Sequence, residues 1–191
     1  MMQILARGIL FLIGWKIIVR VNKEKIKRCV MIAAPHTSNW DLFFSTLTFW
    51  REKIAVQFFI KDTHTKSWYG FLIKAIGGIG VDRKKNNNLI EYAAKRLESN
   101  DELVILVPAE GTRKRVKEWK RGFYYIAKKA KVPVALGYLD YEKKEAGIGE
   151  IVHLTDNFDA DMTRIENFYA DKKGCYPERY NTQIFIRKNG E

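Results

Sequence analysis

Two short stretches carry side chains whose types and spacing could do chemistry. In Pro35-His36-Thr37-Ser38-Asn39-Trp40-Asp41 a histidine precedes a carboxylate by five positions, where an apolar run gives way to a helical pattern. Further on, Ala109-Glu110-Gly111-Thr112-Arg113 makes a polar, basic turn directly after another apolar run. A base with an orienting acid, joined to an arginine turn suited to a phosphate, points to acyl or phosphoryl chemistry on an anionic substrate.

On one continuous helix a spacing of five would splay the two side chains roughly 140° apart around the axis. Straddling a helix start, they can meet. Ser38 reads as an N-cap with Asp41 at the third helical position, a capping box that accounts for Asp41 without any chemistry. Capping does not account for His36. At the helix start the carboxylate can accept from one imidazole nitrogen and leave the other as a general base. The helix N-terminus disfavours imidazolium while Asp41 favours it, so the two local fields oppose.

In the second stretch Gly111 lets the backbone approach a ligand, Thr112 can donate, and Arg113 can grip a phosphate with paired N–H groups. The plain alternative is a solvated turn ahead of a basic helix. Gly80-Val81-Asp82-Arg83 likewise ends a strand-like segment in Asp-Arg, where an ordinary surface ion pair is the competing reading. His64 and His153 have no partner at ligand spacing. Cys29 and Cys175 lack metal-ligand spacing and read as free thiols of a reducing compartment, so no metal site is expected. No phosphate loop, dinucleotide fingerprint or nucleophile elbow is present. Direct transfer is expected rather than a covalent intermediate.

The elements that must position these residues follow from hydrophobic periodicity. Strands are expected over residues 29–34, 54–61, 80–83, 102–107, 132–141 and 150–154. Helices are expected over 39–50, 66–76, 88–98, 119–130 and 159–169, with a charged turn at 142–145. Strands separated by helices predict an α/β fold with a largely parallel sheet. Both candidate stretches then sit at carboxyl ends of strands, the edge where open α/β sheets bind ligands. The polar tail gives no reading.

The 191 residues suit a single domain, and a net charge of +12 calls for a polyanionic partner: nucleic acid, an anionic membrane surface or phosphorylated small molecules. Residues 1–21 are rich in Ile, Leu, Phe and Trp but are interrupted by Arg7, Lys16 and Arg20. Their unbroken apolar core, residues 9–13, is far short of the ~20 needed to span a bilayer. No cleavage signal is evident. A basic helix carrying Trp15 suits the membrane interface, or else packs on the domain's own core. Residues 1–22 are therefore expected as an amphipathic membrane-associating helix, and 23–191 as the catalytic domain.

Together these pieces resemble the glycerolipid acyltransferase family, whose best-known members are the lysophosphatidic acid acyltransferases. His36 and Asp41 match its His-x4-Asp motif, with Ser38 at a commonly occupied serine. Gly80-Val81-Asp82-Arg83 resembles its second block, preceded by Lys61 and Gly70, and Glu110-Gly111-Thr112-Arg113 matches its third. Val132-Pro133-Val134 is similar to its final proline-bearing strand. Pro35 stands where many members have asparagine, Ala109 replaces the proline usual before the glutamate, and Trp68-Tyr69 lacks a proline frequent before Gly70.

The resemblance implies acyl transfer from acyl-CoA or acyl-carrier-protein, as co-substrate and with no further cofactor, to a lysolipid hydroxyl. The first acceptor it suggests is 1-acyl-glycerol-3-phosphate, giving phosphatidate. It implies His36 as the base held by Asp41, with Arg83, Glu110, Gly111, Thr112, Arg113, Ser38 and Lys61 on the substrate side. It also implies a mixed, mostly parallel sheet flanked by helices, at the cytoplasmic face of the cell membrane as a peripheral or monotopic protein. An anionic membrane surface is then a partner and nucleic acid is not. Two other readings stay open: a lyso-aminolipid or other lysophospholipid as acceptor, and a non-catalytic basic protein binding nucleic acid or membrane.

Overall fold

The computed structural model describes residues 1–82 and 88–187. Within these, one seven-stranded sheet is built from β1 (Lys16–Val19), β2 (Arg28–Ala34), β3 (Val56–Lys61), β4 (Gly78–Val81), β5 (Leu103–Val107), β6 (Val134–Asp140) and β7 (Glu145–Val152). Its order is β1-β7-β6-β2-β5-β3-β4. Only the β6–β7 hairpin is antiparallel; the other pairs run parallel. The helices are α1 (Met2–Leu12), α2 (Trp40–Glu52), α3 (Asp62–Thr65), α4 (Gly70–Ala75), α5 (Leu89–Glu98), α6 (Gly122–Ala130) and α7 (Phe158–Tyr169). The α/β fold with a mixed, mostly parallel sheet flanked by helices is the one expected.

β2 is central and buried on both faces, which is why it reads as an almost continuous apolar run. Its alternate residues feed opposite cores. Val30, Ile32 and Ala34 pack with α5, α6 and α7 through Leu97, Phe123 and Ile165. Cys29 and Met31 face the other way, onto Phe49 of α2. Desolvation in that second core pushes the Cys29 thiol up to about 12, so it stays a neutral packing group.

The N-terminal segment departs from the expected single helix over residues 1–22. α1 stops at Leu12, Gly14 takes φ +73°, and Lys16–Val19 becomes an edge strand parallel to β7. Ile17, Ile18 and Val19 are β-branched and favour the strand, while the glycine supplies the left-handed turn out of the helix. α1 packs on α2 through Ala6 and Leu10, beside Trp15 and Leu47. Its other side leaves Ile4, Phe11 and Leu12 largely exposed.

Other boundaries move as well. The strand expected over 150–154 starts earlier, at Glu145, because the hairpin turns tightly through Lys144 at φ 50°. The helix expected over 66–76 shortens to α4, and the single turn α3 precedes it directly after β3. The tail after α7 returns across the carboxyl edge of the sheet. There Lys173 O accepts from Tyr141 N at 2.9 Å, and Thr37 Oγ1 accepts from Tyr176 N at 3.2 Å.

Gly147 sets how closely β1 can approach β7, since a Cβ there would stand 1.8 Å from Ile18 O. Gly147→Val is expected to expel β1 and cost about 1–3 kcal/mol of stability. Amide hydrogen exchange would show accelerated exchange confined to residues 16–20, and unchanged protection there would count against this account.

Candidate active site

Three adjacent parallel strands deliver the site to one edge. β2 lies between β5 and β6, with Ile32 opposite Val107 and Ala34 opposite Tyr138. The chain therefore leaves the sheet side by side into Pro35-His36, into the turn at residues 108–113, and into Tyr141.

His36 Nδ1 lies 3.0 Å from Asp41 Oδ2. The same oxygen accepts from the backbone N–H groups of Thr37 and Ser38 at 2.8 and 2.9 Å. Oδ1 accepts from the Tyr141 hydroxyl at 2.7 Å. A carboxylate only accepts, so Nδ1 carries the imidazole proton and Nε2 keeps the basic lone pair. The Asp41 side chain is 6% exposed, whereas that of His36 keeps 23% of its surface open. α2 starts one residue later than a Ser38 cap implies, with Asn39 at the N-cap, yet cap-like contacts and the dyad coexist. Asp41 reaches back to the Ser38 N–H as a capping acid does, while Ser38 Oγ accepts from Trp40 N at 3.1 Å.

Glu110 is buried, and both its oxygens accept from His36 N at 3.0 Å. It orients the histidine loop from below. Burial outweighs this backbone donor and pushes the carboxyl up from the ordinary 4.5 to about 7. Gly111 takes φ +68° and closes the turn by donating N–H to Pro108 O at 2.9 Å. Thr112 Oγ1 accepts from Lys114 N. The Arg113 guanidinium donates to Asn39 Oδ1 at the start of α2.

A cavity of about 220 Å³ opens between α2 and the sheet. His36, Asp41 and Arg113 line its end at the carboxyl edge, and Leu42, Phe49, Phe58 and Leu106 form apolar walls behind them. Leu42, Ser45, Phe49, Phe58 and Leu106 also line a second hollow of about 600 Å³, which runs on past Trp50 and Ile54. The apolar walls thus run from the imidazole along α2, and the second hollow beyond them adds polar residues, Lys53, Gln57 and Glu102 among them, toward the amino ends of β3 and β5.

The fold brings His36, Asp41, Glu110 and Arg113 together, with Ser38 buried as part of the cap. Lys61 is exposed at the end of β3, one residue past Ile60 of the cavity wall. Arg83 lies outside the described residues. Gly80 serves close packing, since a Cβ there would strike Thr65 Oγ1 at 2.1 Å. His64 Nδ1 pairs with the Tyr69 hydroxyl at 2.9 Å in an exposed turn. Sequence reasoning missed Asn39 and Tyr141. Asn39 lies inside the first motif and its polar side chain was a usable signal. Tyr141, a hundred positions from Asp41, offered none.

A protein-family model described as Acyltransferase matches residues 17–135, more than half of the chain. The chain belongs to the acyltransferase family. No curated protein sequence matches it. Among solved structures, the crystal structure of the 1-acyl-sn-glycerophosphate (LPA) acyltransferase PlsC from Thermotoga maritima is similar in fold, with a TM-score of 0.57. The likeness covers 87% of this chain and 75% of that one at 16% sequence identity. The acyltransferase match spans β1 to the start of β6 and so contains both motif stretches, while Tyr141 and the returning tail fall beyond it.

The raised Glu110 carboxyl in this acyltransferase has a signed consequence for stability. The native state holds its proton more tightly than the unfolded chain does. The stabilising contribution is therefore full below pH 4.5 and is lost as pH rises to about 7. The shift is worth about 3 kcal/mol. Glu110→Gln keeps an acceptor for His36 N and cannot titrate. Denaturant unfolding across pH 4.5–8 should show the wild type losing stability relative to this variant, and parallel curves would reject the assignment.

Proposed function

We propose that this acyltransferase moves a fatty acyl group from an acyl thioester to the free hydroxyl of a lysolipid. The donor is acyl-CoA or acyl-carrier-protein, and the preferred acceptor is 1-acyl-glycerol-3-phosphate. The observation that carries the reading is the His36–Asp41 pair lining an apolar-walled cavity, with Arg113 beside it.

In this mechanism the acceptor hydroxyl gives its proton to His36 Nε2 as its oxygen attacks the thioester carbonyl. The tetrahedral intermediate collapses with cleavage of the C–S bond, and the imidazolium returns the proton to the departing thiolate. Asp41 holds the tautomer throughout. The acyl chain lies along the walls of Leu42, Phe49, Phe58 and Leu106, and Arg113 takes the acceptor's phosphate as a charge-assisted pair. Its present bond to Asn39 keeps the guanidinium near the dyad before substrate arrives.

Lipid substrates call for work at a membrane surface. No helix of the described residues is long and apolar enough to cross one. Ile4, Phe11 and Leu12 of α1, with Trp40, Trp68 and Phe71, expose large apolar side chains on a chain of net charge +12. That combination suits peripheral docking on anionic headgroups, where each nearby Lys or Arg adds about 1 kcal/mol.

Purified protein with labelled acyl donors and a lysolipid panel in liposomes tests the reaction. His36→Ala is expected to lower kcat roughly a hundred- to ten-thousand-fold while leaving unfolding unchanged; near-normal turnover would sink the mechanism. Arg113→Ala should raise KM for a phosphate-bearing acceptor by about ten- to a hundredfold and leave a phosphate-free lysolipid unaffected. An equal effect on both acceptors would remove Arg113 from phosphate binding.

A further inference from the structure

We infer that Tyr141 is a positioning residue for acyl transfer: its hydroxyl locks the Asp41 carboxylate so that Oδ2 alone addresses His36. The inference rests on the general-base reading of His36 and extends it to a residue beyond the family match, which ends at 135.

The geometry has three parts. First, Oδ1 of Asp41 accepts from no other group among the described residues, while Oδ2 already serves two backbone N–H groups and the imidazole. Tyr141 therefore fixes the one freedom left to the carboxylate, rotation of its plane. Without it, a buried oxygen would have no partner and the two oxygens could exchange places.

Second, Tyr141 itself is held. Its ring meets Trp15 edge-on at 5.1 Å and Phe44 edge-on at 5.6 Å, and those two rings stack on each other at 4.0 Å. Its backbone N–H is bound to Lys173 O from the returning tail. The tail, the end of β6, the first turns of α2 and the segment after α1 thus meet at one phenol. A group fixed by packing on several elements transmits that fixity to what it binds.

Third, the phenol remains a donor. Burial and the neighbouring Asp41 carboxylate both push its hydroxyl upward from the ordinary tyrosine value. No other group near the dyad combines these features among the described residues. Arg179 donates to Thr37 O at 3.5 Å, away from the carboxylate, and Glu110 acts on the His36 backbone rather than its ring.

Tyr141→Phe in the full chain keeps the packed ring and removes the O–H. We expect kcat to fall about tenfold or more, with KM for donor and acceptor within about twofold. The His36 imidazole nitrogens, read by ¹⁵N NMR without substrate, should change from one tautomer to a mixture. In an Asp41→Ala background the same substitution should cost nothing further. Wild-type kcat with an unchanged imidazole spectrum would overturn the inference, as would a full tenfold loss persisting without Asp41. Should the variant fail to fold, the wild-type chain decides: a slowly exchanging Tyr141 hydroxyl proton supports the lock, and a freely exchanging one refutes it. The spectra need no turnover. A protein inactive on every acceptor would therefore defeat the functional reading, while the imidazole signals would still show whether Tyr141 holds Asp41.

Discussion

A carboxylate taken out of water at a strand–helix junction must have its lone pairs answered, and at Asp41 four donors do so. Two are the backbone N–H groups of Thr37 and Ser38, one is the imidazole and one is the Tyr141 hydroxyl. The first two belong to the short loop between β2 and the first turn of α2. Satisfying them with Asp41 turns the chain sharply between β2 and α2 and carries His36 back over its own acid. The helix-start contacts and the His36–Asp41 pair are one set of hydrogen bonds. The rest of the molecule supports that turn: β2 fixes its origin, α2 its direction, and the neighbouring strands fill its flanks.

The second buried carboxylate shows what happens when burial outweighs the donors. Glu110 lies beneath the same loop and accepts from the His36 N–H, yet desolvation dominates and its proton is held to near neutrality. The two acids sit on opposite sides of one histidine with different work. Asp41 addresses the ring, and Glu110 addresses the backbone that carries it. Together they hold the ring through Nδ1 and the backbone through its N–H.

Behind this polar edge lies a cavity with largely apolar walls. α2 contributes its N-terminus to the dyad and its length to the cavity wall, so Leu42 and Phe49 follow Asp41 down one helix. Phe58 and Leu106 complete the wall from β3 and β5. Polar chemistry sits where the strands end and apolar burial follows them inward. That arrangement comes from parallel topology, which gathers strand carboxyl ends on one side.

Much of this is legible from local pattern. Apolar runs alternating with amphipathic periods yield the α/β class. A histidine outside a Ser/Asp helix start yields the dyad, since their meeting depends only on the turn between them. The N-terminal segment misleads because Ile17, Ile18 and Val19 suit either an apolar helix or a strand. Only the open edge of β7, with Gly147 clearing space, decides for the strand. Residue order and type were enough for the fold class, the pair His36–Asp41 and the turn that bears Arg113. Which strands are neighbours was settled only by three-dimensional packing, and hence that Glu110 lies under His36 and Tyr141 beside Asp41. Those contacts span 74 and 100 positions, a separation across which no periodicity or capping rule reaches, because only sheet order brings such residues together.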